Sequence, residues 1–127
     1  MVIHTNFQDF VLFLYIHMGH ADGFLHPTEE EVILHKMSKI FPSEGNTKKK
    51  LEDAIVQYRK LDQGKVMEII KATFKHFDQV KFAAKYKVYT DMYDIVNADG
   101  KIEESETLAL ETLKEIINMN SEAKQAS

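Results

Sequence analysis

Two stretches of the sequence carry the same oxygen-rich pattern. Residues 21–29 read Ala-Asp-Gly-Phe-Leu-His-Pro-Thr-Glu, and residues 98–106 read Ala-Asp-Gly-Lys-Ile-Glu-Glu-Ser-Glu. An offset of 77 matches Ala21 with Ala98, Asp22 with Asp99, Gly23 with Gly100, Leu25 with Ile102 and Glu29 with Glu106. The register continues beyond the pattern, where Ile33 matches Leu110 and Ile40 matches Ile117. Carboxylate oxygens suit hard divalent cations, so Asp22, Glu29, Asp99, Glu103 and Glu106 are candidate ligands for Ca²⁺, Mg²⁺ or Mn²⁺. The second stretch is the richer one, with Asp94, Asn97 and Glu104 close by. A structural role competes with ligation. With Glu103 as N-cap, Glu106 stands at N3 and can bond back to the cap N–H. In the first copy, His26 as N-cap puts Pro27 at N1 and Glu29 at N3. A second register, Thr28 with Glu31, also fits.

A standard EF-hand is rejected. The calcium loop opens on an Asp ligand, and here that place holds Ile95 in one copy and Met18 in the other. The histidines suggest a second metal chemistry. His17 and His20 are three residues apart, with Asp22 and His26 close after and Glu31 and His35 spaced to join them. That set suits zinc or nickel. Packing and capping are the competing roles, and no H-E-x-x-H motif occurs.

Composition removes other chemistries. With no cysteine among 127 residues, thiolate zinc sites, iron–sulfur clusters and cysteine nucleophiles drop out. The five glycines form neither a dinucleotide fingerprint nor a P-loop, and no G-x-S-x-G occurs. Nothing adds a nucleophile or an oxyanion donor to the carboxylates, so the expected protein is not an enzyme. The net charge of −4 argues against a whole-protein grip on nucleic acid. Charge is nonetheless uneven. Residues 1–41 hold two basic and five acidic groups, 42–92 eleven and seven, and 93–127 three and eight. A basic middle between acidic ends suits docking to a charged protein partner. The apolar run 10–16 lacks a basic leader and falls short of a membrane span. The expectation is a cytoplasmic chain with no direct membrane insertion.

These groups must be positioned by helices, because the apolar spacing is helical throughout. A first helix, Phe7 to Ala21, is apolar on most sides and should be central. A second runs from Pro27 to Phe41 and stops before Pro42. A third presents Leu51, Ile55, Tyr58 and Leu61, and Asp62 to Gly64 is a turn. A fourth presents Val66, Ile69, Ile70, Phe74 and Phe77. On the fifth, Phe82, Tyr86, Tyr89, Tyr93 and Val96 are assigned to the core. The sixth presents Leu110, Leu113, Ile116 and Ile117, and 121–127 should fray. Gly23 and Gly100 can end a helix in the left-handed conformation, and Leu25 and Ile102 can plug the space between paired helices. The reading is one all-α domain over 1–127, a compact bundle of six to seven helices. Two pseudo-symmetric halves, about 7–41 and 79–119, flank a middle helical pair at about 47–77.

Two Ala-Asp-Gly-x-aliphatic loops, each with Glu seven residues after the Asp, resemble the tellurite-resistance TerB-like family. Here they are Asp22-Gly23-x-Leu25 with Glu29 and Asp99-Gly100-x-Ile102 with Glu106. The resemblance spans roughly 7–119. It implies a helical domain with acidic loop residues that bind a divalent metal. It also implies a role in bacterial stress response or envelope-linked assemblies. Similar domains occur fused to a J-domain co-chaperone module. No residue chemistry in this chain points to a tellurium oxyanion itself.

Overall fold

Asn6 starts the first helix. Its backbone is extended, and its Oδ1 accepts the N–H groups of Gln8 at 2.9 Å and Asp9 at 3.2 Å. Two of the free donors of α1 (Phe7–Gly19) are satisfied there. A computed structural model describes residues 4, 6–21, 25–42, 45–77, 79–98 and 104–126, with side chains through Ile117. Every residue from Phe10 to Ile16 is buried, as is Met18. Such a helix has no solvent face and must lie inside the bundle. It packs against all of α2 (Pro27–Ile40), α3 (Thr47–Arg59), α5 (Phe82–Val96) and α6 (Glu104–Ala126). The remaining helix, α4 (Val66–His76), packs on α6. The described residues form six helices and no strand.

The helix ends follow local chemistry. His26 is the N-cap of α2, with Pro27 first and Glu29 third in the helix. Asn46 Oδ1 accepts the Lys49 N–H at 3.0 Å and caps α3. Asp62 makes the turn before α4: its Oδ1 accepts from the Gly64 N–H at 2.9 Å and its carbonyl from the Lys65 N–H at 2.8 Å. Leu25 does close the α1–α2 junction. A methyl placed on Gly19 would run into Leu25 Cδ1, so the absent side chain is what admits Leu25. Aromatic edges lock α1 to α4, with Phe10 and Phe74 centroids 5.0 Å apart and Phe7 and Phe77 5.3 Å apart.

The structure corrects one expectation. Phe82, Tyr86 and Tyr93 are not core: they are 44%, 41% and 46% exposed, and Tyr89 is only partly buried. The buried face of α5 is Lys85, Val88, Met92, Ile95 and Val96. Both rows have helical spacing, so periodicity cannot choose between them. The choice follows from α5 packing on α1, α2 and α6 at once, which favours the slimmer aliphatic row. At the C-terminal end, α6 runs through Ala126.

Candidate functional site

Of the five proposed cation ligands, Asp22, Asp99 and Glu103 lie outside the described residues. Glu29 and Glu106 are described, and they share an environment. Each is the third residue of its helix, and each is buried, at 1% and 3% exposure. Glu29 Oε1 accepts the His26 N–H at 3.0 Å, which is the backward half of a capping box. The repeat therefore extends from residue type to helix position and burial. Among the described residues, no three His, Asp or Glu side chains gather as a metal cluster. Asp94, a further oxygen donor of the second stretch, binds Lys36 Nζ at 3.1 Å.

The histidines take structural roles. His17 Nδ1 and the Tyr58 hydroxyl are 3.0 Å apart, joining α1 to α3. His20 Nδ1 faces the Ile16 carbonyl at 2.8 Å, so that nitrogen carries the proton and donates. Burial, helped by neighbouring His20, pushes the His17 imidazole down to about 4. Burial pushes the Tyr58 phenol up to about 12, so it keeps its proton. Glu31 and His35 face solvent on α2.

A polar network invisible to spacing rules joins α1, α2 and α5. Asp91, only 14% exposed at its side chain, sits at the centre. It accepts from the Tyr15 hydroxyl at 3.0 Å, from Lys36 Nζ at 3.0 Å and from Lys87 Nζ at 3.1 Å. Burial alone would push the Asp91 carboxyl up. The hydrogen bonds from Lys36, Lys87 and Tyr15 outweigh it and hold the carboxyl below its ordinary range. Lys36 shows the mirror case: burial lowers it, but Asp91 and Asp94 together hold it above the usual lysine value. Tyr15 is raised by burial and by the Asp91 charge. Only the Lys87–Asp91 pair, four residues apart, is readable from sequence. Tyr15 and Lys36 are 76 and 55 residues from Asp91.

The outer face of α5 is aromatic. Phe82, Tyr86 and Tyr89 follow one another in tilted contact, with centroids 5.8 Å and 5.7 Å apart. Lys114 of α6 lies over the Tyr89 ring, 5.9 Å from its centroid. A row of half-exposed rings bordered by charges has the composition of an interaction surface.

Central apolar helix, flanking helices and buried repeat glutamates together define an all-helical domain. Comparison with known families then identifies it. The family described as Tellurite resistance protein TerB matches residues 8–126, and the chain belongs to that family. No curated protein and no solved structure matches it. No helix among the described residues is long and apolar enough to cross a membrane.

Proposed function

We propose that this chain is a non-enzymatic protein-interaction domain of bacterial stress response, acting in the cytoplasm. On this reading the aromatic face of α5 receives a protein partner, and Asp22, Glu29, Asp99, Glu103 and Glu106 hold a divalent cation at the two Asp-Gly loops. The single observation behind it is the row Phe82, Tyr86 and Tyr93, bulky rings left at the surface beside the half-buried Tyr89. Family membership supports the stress-response setting. The matched burial of Glu29 and Glu106 supports a shared role for the two loops.

A metal-free scaffold is the second reading. It is favoured by the Glu29 carboxylate spending one oxygen on the His26 N–H. Glu106→Gln separates the two, because it keeps a cap acceptor and removes a ligand charge. The cation reading expects Ca²⁺, Mg²⁺ or Mn²⁺ to raise the melting temperature of the natural protein but not of the variant. Absence of any shift in the natural protein rejects it. Partner capture that is indifferent to chelator favours the scaffold.

A further inference from the structure

We propose that the cleft between α1 and α3 binds a small organic cation with an apolar body, an alkyl- or arylammonium. The cleft encloses about 420 Å³, within the range of small-molecule sites. It exists because of the row α3 presents there. Leu51, Ile55 and Tyr58 form the buried face of α3. The adjoining row is Lys50, Ala54, Gln57 and then Leu61, one small residue flanked by two polar ones, and all four line the cleft. The methyl group at position 54 leaves room that a leucine would narrow.

The walls and the rim ask for different parts of one ligand. Phe13, Tyr58 and His4 make an aromatic corner, with His4–Phe13 centroids 5.1 Å apart and Phe13–Tyr58 centroids 5.6 Å apart. Rings of this kind favour apolar bodies and adjacent cations. At the rim stand Asp9, Lys50 and Asp53. The Lys50 charge is already used: its Nζ lies 3.5 Å from Asp9 and 4.6 Å from the Phe41 ring centroid. Among the described residues Asp53 forms no ion pair, and the Gln57 amide has no hydrogen-bond partner. Burial lowers His4 despite the opposing pull of Asp9, so the aromatic corner adds no positive charge at neutral pH. Two carboxylates against one ammonium leave the rim one negative charge in excess. The complementary ligand places an ammonium between Asp53 and Gln57 and its apolar body against Phe13 and Tyr58.

The test is a nuclear magnetic resonance titration of the full chain with three probes of similar shape: benzylammonium, benzyl alcohol and phenylacetate. The ammonium should move the amide resonances of Ile16, Ala54 and Gln57. It should bind about fivefold more tightly than the alcohol, the ratio an exposed ion pair supplies, and phenylacetate should bind most weakly. Asp53→Asn, at an exposed position, should erase the preference for ammonium over alcohol without loss of folding. Ala54→Leu, which narrows the cleft, should weaken binding of all three probes. The proposal is overturned if no cleft resonance responds, if phenylacetate binds as well as benzylammonium, or if Asp53→Asn leaves the preference intact.

Discussion

Replacing His17 with glutamine should flatten the acid limb of the stability curve. In the folded protein the His17 imidazole is enclosed against Tyr58 and titrates at about 4, against 6.5 for a free histidine. The sign follows from proton counting. Above pH 6.5 the ring is neutral in both states and contributes no slope. Between 6.5 and about 4 the unfolded chain takes up a proton that the folded chain refuses, so stability falls as pH falls. Below about 4 both states are protonated and the loss levels off. At about 1.4 kcal/mol per pH unit, the whole window is worth about 3 kcal/mol. Glutamine does not titrate, so His17→Gln should lack this loss. At neutral pH the variant should be less stable by about 1 kcal/mol, because the Tyr58 hydroxyl loses its partner. Asp91 behaves differently: its carboxyl is held below the ordinary value, so its contribution is present above that value and lost as pH falls through the folded one. That loss, like the one from His4, occurs in both proteins and cancels in the comparison. Urea denaturation of both proteins at a series of pH values is the assay. Parallel stability curves for the two proteins, or a His17 resonance titrating near 6.5, would refute the reasoning.

Three more outcomes are expected. Asp91→Asn should destabilise the fold by about 2 kcal/mol, since it leaves Lys36 buried beside a weakened partner. The double variant with Lys36→Met should recover part of that loss in a denaturation cycle. Gly19→Ala should change stability by less than about 1 kcal/mol, because Leu25 Cδ1, the tip of a flexible side chain, must swing aside while helix propensity improves. In a Leu25→Ala background the same change should be more stabilising, and a melting curve reads the difference. Tyr86→Ser with Tyr93→Ser should leave the melting temperature nearly unchanged and weaken partner capture. A large drop in melting temperature would mean that these rings are core after all.

The helical elements were legible because their signals are local. The His26-Pro27-x-Glu29 run marks a helix start through a side chain within three residues of the N–H group it satisfies, whereas the caps Asn6 and Asn46 emerged only with the structure. Asp62 marks a turn in the same way. The central place of α1 was readable too, since a helix apolar on most sides can cover them only by lying inside. The α5 face was misread for an equally physical reason. Its aromatic row and its aliphatic row have the same period, and only the neighbours decide which row is covered. The histidines were legible as residues with two roles. It took Tyr58, brought from 41 positions away, to settle His17 as a packing group.

By itself the sequence determined an all-helical chain, its repeated Asp-Gly motif and the third-residue glutamates that follow it. Those features depend on residues within about one helical turn of each other. Tertiary structure alone decided the Tyr15–Asp91–Lys36 network, the outward turn of Phe82, Tyr86 and Tyr93, and the cleft over Ala54. Each depends on where one helix lies against another. That placement comes from many small packing contacts acting together, which no short spacing in the chain encodes.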